Sequence, residues 1–159
     1  VNNELEKVIS YFQNKKLNTE KLEVLLNTKI NDDFNLLKDE ALMGNKTKTN
    51  TLLCNTVIDL DKFIFYLNLI NQRLTKLKEI NKLSQNSNLE EALKTLKPPI
   101  FWKDKPNILA QLKKWDERKI NSILDNTYDI EKKVKTNSKI NSNVLLKKLI
   151  LDICQIANA

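Results

Sequence analysis

The sequence predicts an all-α protein, and three observations lead to that prediction. The 159 residues include one glycine and three prolines, which leaves little material for the turns of a β-sheet. Leucine, lysine and glutamate, which favour helices, are abundant. Apolar residues also recur every three or four positions along most of the chain, as they do on the buried face of a helix.

Two short amphipathic patterns occupy the first 28 residues. One extends from Glu4 to Phe12, and the other follows Thr19, whose hydroxyl can cap a helix. A polar connector at residues 27–33 then interrupts the apolar spacing. We therefore predict a domain boundary here, with residues 1–28 as the last helices of one domain and residues 29–159 as a complete second domain.

The second domain is predicted to begin with a helix from about Asp33 to Met43. Its buried face comprises Phe34, Leu37 and Ala41. Gly44, the only glycine, follows at a position that favours a left-handed backbone conformation. Asn45 can cap a second helix that runs from about Lys46 to Thr56. The apolar residues of this second helix are Leu52, Leu53 and Cys54.

The longest apolar pattern predicts a helix that starts at Asp59 or Asp61 and ends between Ser84 and Asn88. Its buried side is expected to contain Leu60, Phe63, Ile64, Leu67, Ile70, Leu74 and Leu77. A short helix should follow, with Asn88 and Glu91 spaced as in a capping box. The paired prolines at 98–99 end it.

The segment after the prolines, Ile100-Phe101-Trp102, is bulky and apolar. We expect it to be buried in irregular backbone, because such residues are usually inside, and we assign Trp102 either to the core or to a subunit interface. Asp104 starts a helix that has Pro106 in its first turn and Trp115 on its buried face.

Two further helices complete the chain. Asp116 caps the first, whose inner side comprises Ile120, Ile123, Leu124, Thr127, Ile130 and Val134. The second runs from about Ser142 to Ala157. Its apolar residues are Val144, Leu145, Leu149, Ile150, Ile153 and Cys154.

Composition argues against catalysis. The chain has no histidine, and one glycine cannot supply a phosphate-binding loop. Carboxylate pairs such as Asp32-Asp33 and Glu90-Glu91 are explained by their positions at helix starts. We predict no enzyme activity, no catalytic residue, no cofactor and no metal site. Cys54 and Cys154 lie in apolar patterns and are predicted to be buried free thiols.

A formal net charge of +7 permits an acidic partner such as DNA. No apolar run reaches the roughly 18 residues that a membrane-spanning helix needs. We therefore expect a cytoplasmic protein with no membrane contact.

Several short motifs resemble a known family. Pro98-Pro99-Ile100-Phe101-Trp102-Lys103, followed by Gln111-Leu112-Lys113-Lys114-Trp115, resembles the C-terminal part of the delta subunit of bacterial DNA polymerase III, a clamp-loader component. Further matches are Glu4-Leu5-Glu6-Lys7-Val8, Thr19-Glu20-Lys21-Leu22, Ala41-Leu42-Met43-Gly44-Asn45 and the segment 131–137. In the last of these, Asn137 replaces the usual glycine, and we expect it to keep the left-handed conformation.

The resemblance implies a specific architecture and role. Residues 1–28 would be the end of the AAA+-like lid domain, and residues 29–159 a helical collar domain through which delta associates with delta-prime and gamma/tau. The chain would then be a non-catalytic part of the DNA-directed DNA polymerase holoenzyme, a nucleotidyltransferase complex that carries out DNA replication. The sliding clamp would be bound only by a further domain that precedes this piece in the full-length protein.

Two groups of residues are candidate contact sites. Phe101, Trp102 and Lys103 are the candidate partner interface, and Lys132, Lys133, Lys135 and Lys139 could contact a phosphate backbone or an acidic partner. Two alternatives to collar scaffolding remain. The chain could be a basic helical DNA-binding domain that uses its charge and Trp102, or a helical adaptor unrelated to replication.

Overall fold

The structure is a computed structural model that describes residues 6, 9–10, 28–86, 88–97, 99–137 and 140–159. From residue 28 onward, the described residues form seven α-helices and one 3₁₀ helix, and they contain no β-strand. The helices are α1 (Thr28–Leu42), α2 (Lys46–Asn55), α3 (Phe63–Asn86), α4 (Leu89–Thr95), α5 (Lys105–Leu112), α6 (Glu117–Thr136) and α7 (Ser142–Ile156). The all-α prediction is confirmed. None of the described helices is long and apolar enough to span a bilayer.

Helix α3 is the centre of the domain, because α1, α4, α5, α6 and α7 all pack against it. Its inner side is fully apolar except for one phenol group, and it comprises Phe63, Tyr66, Leu67, Ile70, Leu74, Leu77 and Ile80. Tyr66 stacks on Phe34 of α1, with ring centroids 4.2 Å apart. Leu60 was expected on this side, but it is exposed because it lies in the 3₁₀ turn Leu60–Lys62, outside the α-helical phase.

Helices α1, α2 and α7 form a second packed group, which joins the beginning of the described domain to its end. Gly44 lies between α1 and α2 with φ of +71°, so the left-handed conformation expected there is confirmed. The Asn158 side-chain amide, just after α7, donates hydrogen bonds to the Gly44 carbonyl at 2.7 Å and to the Cys154 carbonyl at 2.8 Å. One amide thus holds the α1–α2 turn against the end of the chain.

Helix α1 begins at Thr28, five residues before the predicted start at Asp33. The expected polar connector at 27–33 is therefore helical from residue 28. Asp33 is exposed, so its polarity reflects a solvent-facing turn and not a loop. Of the predicted helix from Glu4 to Phe12, only residues 6, 9 and 10 are described, and they are helical. The predicted helix around Leu22 lies outside the described residues, and the division into two domains stays a prediction.

Two side chains depart from their expected positions because the helical phase differs. On α2 the buried residues are Thr49 and Leu53, so Cys54, the next position, is exposed, whereas Cys154 is buried as predicted. On α7 the buried face includes Leu146. Val144 lies about 200° around the helix from Leu146 and is exposed.

Two structures that were expected at helix ends are also absent. Asn137 has φ of −139° and ψ of 102°, an extended conformation and not the left-handed one that was expected. The chain therefore leaves α6 directly in extended backbone. Asn88 occupies the N-cap of α4, but its side chain makes no capping hydrogen bond, so the capping box is wrong. The caps expected at Asn45 and Asp116 are confirmed by hydrogen bonds from the Lys48 and Lys119 amides.

Candidate protein-contact site

The connector between α4 and α5 carries two exposed aromatic side chains. Phe101 is 62% exposed and Trp102 is 72% exposed, so the predicted burial of this segment is wrong; among the three apolar residues only Ile100 is partly buried. The Phe101 and Trp102 ring centroids are 5.9 Å apart. The Lys103 ammonium lies 5.3 Å from the centroid of the Trp102 ring. We call Phe101, Trp102 and Lys103 the aromatic tip.

A tight turn explains the exposure. The Asp104 amide donates a hydrogen bond to the Phe101 carbonyl at 2.9 Å, which closes a four-residue turn. Trp102 and Lys103 occupy the two central positions of this turn, where side chains project away from the protein. Trp102 therefore does not belong to the core, and its place in a subunit interface stays a prediction.

Asp104 fixes this turn to the central helix. The Nη2 group of Arg73 donates a hydrogen bond to Asp104 Oδ1 at 2.8 Å, and Nη1 forms an ion pair with Oδ2 at 2.8 Å. Nη2 also lies 3.3 Å from Asp39 Oδ1 on α1. The side chain of Arg73 is only 9% exposed, so its charge is compensated by these two carboxylates inside the protein. The aromatic tip is consequently anchored on α3 and α1.

Two further polar residues complete this charged cluster. Gln111 of α5 is fully buried and donates a hydrogen bond from Nε2 to Asp39 Oδ1 at 3.3 Å. Lys38 is also buried and donates a hydrogen bond to Asn35 Oδ1 at 2.9 Å. Burial lowers the pKa of Lys38, and the negative charge of Asp39 opposes that shift only in part.

Trp115, at the other end of α5, belongs to the core as predicted. It is 1% exposed, and its indole Nε1 donates a hydrogen bond to the Leu42 carbonyl at 2.7 Å. Its own carbonyl accepts a hydrogen bond from Asn81 Nδ2 of α3 at 2.9 Å. Helix α5 is therefore attached to α3 on both sides, by Asp104 before its first residue and by Trp115 after its last.

The basic candidate site is on a different element. Lys132, Lys133 and Lys135 are exposed on the last two turns of α6, and Lys139 lies outside the described residues. Lys135 forms an ion pair with Glu131 one turn earlier. The cations at this helix end also complement the helix dipole, which explains part of their placement.

Sequence reasoning missed the charged cluster beneath the tip. One signal was available, because Arg73 is one of only two arginines and stands beside the buried Leu74 within the longest apolar pattern. Asp39 and Asp104 carried no such signal, since both read as ordinary polar residues near helix ends.

The tip presents apolar area and a cation, and it has the features of a protein-binding surface. Aromatic residues and Trp in particular are enriched in such surfaces. Within the described residues, no three His, Cys, Asp or Glu side chains converge so that they could hold a metal ion. Comparison of the chain with protein-family models, curated proteins and solved structures found no match.

Proposed function

We propose that this chain is a non-catalytic scaffold domain that binds partner subunits through the aromatic tip. The observation that supports this proposal is the exposure of Phe101 and Trp102 on a turn that Arg73 and Asp104 anchor. Two large neighbouring aromatic side chains in water are unfavourable unless a partner covers them.

Anchoring matters because side chains and loops that become ordered on association lose conformational entropy, which opposes binding. An exposed loop that becomes ordered only on binding loses about 0.5–1.5 kcal/mol for each side chain that is immobilised. Here the turn is already closed by the hydrogen bond from the Asp104 amide to the Phe101 carbonyl, and the Arg73 guanidinium holds the Asp104 carboxylate. A partner therefore meets a preformed surface, and more of the contact energy contributes to affinity.

The resemblance to the delta subunit supports a specific version of this proposal. In that version the domain is the collar of a cytoplasmic clamp loader and associates with delta-prime and gamma/tau during DNA replication. The sliding clamp would be engaged by another part of the same subunit. The residues of the aromatic tip are also the residues that carry the strongest part of the resemblance.

Size-exclusion chromatography with the delta-prime and gamma/tau collar domains from the same organism tests the proposal. We expect a complex that contains all three proteins, and we expect the double variant F101A/W102A to elute separately. Tyr128→Ala is the matched control, because Tyr128 is an exposed aromatic residue on α6, at 66% exposure. Failure of the folded parent chain to co-elute, or equal losses in both variants, would contradict the proposal.

The position of Lys103 over the Trp102 ring favours one second candidate, binding of single-stranded DNA. An exposed indole can stack on a base, which contributes about 1–3 kcal/mol per base, while a neighbouring lysine contacts a phosphate. In that case W102A would weaken oligonucleotide binding and leave subunit association unchanged. The opposite pattern would support the scaffold.

A further inference from the structure

A groove lies between the C-terminal half of α3 and the junction of α5 with α6, at the end of α5 that is remote from the aromatic tip. Its volume is about 450 Å³. Lysines outnumber carboxylates by five to two in its lining; they are Lys78, Lys82, Lys113, Lys114 and Lys119. We propose that this lysine groove binds a ligand that carries phosphate groups.

The positive charge in the groove is only partly compensated by the protein. Lys78 donates a hydrogen bond to Asn121 Oδ1 at 2.6 Å and lies 3.6 Å from Glu117, and Lys119 donates to the Lys114 carbonyl at 3.2 Å. Across the described residues, Lys82, Lys113 and Lys114 form no ion pair. Three ammonium groups thus remain available to an external anion on one concave surface.

The two carboxylates of the lining are already engaged. Asp116 Oδ1 accepts a hydrogen bond from the Lys119 amide at 2.8 Å as the cap of α6, and Glu117 faces Lys78. Neither group forms an ion pair with Lys82, Lys113 or Lys114. A cleft that is lined mainly by one sign of charge focuses its electric field and raises the local concentration of the opposite ion.

A hydrogen bond joins the two walls that carry these lysines. Asn81, on the α3 wall, donates a hydrogen bond to the Trp115 carbonyl on the opposite wall. The Trp115 ring is buried and is itself held by the Leu42 carbonyl. The backbone segments that bear Lys82, Lys113 and Lys114 are therefore held at a fixed separation. A ligand does not have to bring these backbone segments together.

Phosphate is the anion that fits this surface best. Lysine ammonium groups bind phosphate as compact point charges, without the planar geometry that arginine requires. The volume lies in the range of about 300–1,000 Å³ that is usual for small-molecule sites, so it admits more than one phosphate or a phosphate with its nucleoside.

The phosphate could belong to a single-stranded nucleic acid or to a free phosphate compound. Two probes distinguish these sources: a fluorescein-labelled dT12 oligonucleotide, followed by anisotropy, and inorganic pyrophosphate, followed by calorimetry. Binding of the oligonucleotide alone would assign the groove to a phosphodiester backbone, and binding of pyrophosphate as well would assign it to free phosphate compounds. If neither probe binds the folded chain, the proposal is wrong.

The decisive variant is the triple substitution K82Q/K113Q/K114Q. Its matched control is K46Q/K147Q/K148Q, which removes the same number of charges from exposed positions on α2 and α7. We expect the groove variant to weaken binding of the probe at least about tenfold. For the oligonucleotide, we also expect the salt dependence to flatten by about two units, since each lost contact with single strands contributes roughly 0.7. The control variant should change affinity by less than about threefold.

Two outcomes would overturn the lysine groove. One is equal weakening in both triple variants, which would mean that net charge alone drives binding. The other is unchanged binding in the groove variant, with thermal unfolding showing that it is folded. The result does not depend on subunit association, because the aromatic tip is intact in both variants.

Discussion

Arg73 and Asp104 form an ion pair in which both nitrogen–oxygen distances are 2.8 Å, and this pair joins the middle of the longest helix to the turn that exposes Trp102. Asp39 lies 3.3 Å from the same guanidinium and extends the contact to α1. One buried arginine thus connects three parts of the chain that are 31 or more residues apart in sequence. Stability and the candidate contact surface therefore depend on the same side chain.

Replacement of Arg73 by methionine should strongly destabilise the protein. Asp39 and Asp104 would lose their shared cation, and breaking a buried ion pair from one side costs about 3–5 kcal/mol. Because Asp104 is 30% exposed and can be partly solvated, we expect about 3 kcal/mol, the lower end of that range. Urea unfolding at neutral pH measures the change. Arg118→Met, at an exposed position on α6, is the control and should change the free energy of unfolding by less than about 0.5 kcal/mol.

Trp115→Phe tests the hydrogen bond between the indole and the Leu42 carbonyl. Phenylalanine keeps most of the buried apolar area but cannot donate, which leaves this acceptor unsatisfied at a cost of about 1–3 kcal/mol. Trp102→Phe is the matched substitution, because the other tryptophan is exposed and should tolerate the change. Equal unfolding free energies for the two variants would show that the hydrogen bond contributes nothing.

Gly44→Ala should destabilise the turn between α1 and α2 for two reasons. The φ of +71° disfavours any residue with a β-carbon, by about 1–2 kcal/mol for alanine. The added methyl group would also lie 2.7 Å from the Asn158 amide, which would have to move and lose its hydrogen bonds. A double-mutant cycle with Asn158→Ala separates these contributions, since only the second depends on Asn158. Strictly additive effects would exclude a clash between the two residues.

The lowered pKa of Lys38 predicts a dependence of stability on pH. Burial disfavours the charged form in the folded protein, while the unfolded chain keeps the ordinary value of 10.5. Between the lowered pKa and 10.5 the unfolded state binds more protons, so stability should rise with pH through this window. The charges that act on the amine are those of Asp39, Arg73 and Asp104.

Urea unfolding at several pH values up to 10.5 measures this effect. The free energy of unfolding of the parent protein should rise relative to that of Lys38→Met as the pH increases. Lys147→Met, which removes an exposed lysine on α7, controls for the loss of one positive charge. A relative fall in stability with pH would contradict the assignment.

Much of the helical framework could be predicted from apolar spacing, and α3 shows why. Its buried positions from Phe63 to Leu77 keep the helical period over several turns. The many regularly spaced apolar residues define the buried face even where one position is assigned wrongly. Short helices carry less information. On α2, Leu53 faces the core and Cys54 does not, yet neighbouring apolar residues give no means of choosing between them.

The role of Phe101 and Trp102 as a contact site stays a prediction, but their exposure was not foreseen. Their hydrophobicity indicated burial, whereas the Asp104–Phe101 hydrogen bond turns Trp102 outward. The anchoring by Arg73 could not be predicted, because it joins residues 31 positions apart. Helical periodicity carries no information about such pairs.

The attachment of α5 at two points has a mechanical consequence. Asp104 is fixed to Arg73 and Trp115 is fixed to Asn81, and these α3 residues are about 12 Å apart along the helix axis. Rotation of α5 about either end would break one of these contacts, so displacement of α5 is coupled to displacement of α3. A force applied to Trp102 would therefore reach α3, the central helix, through the contact between Asp104 and Arg73.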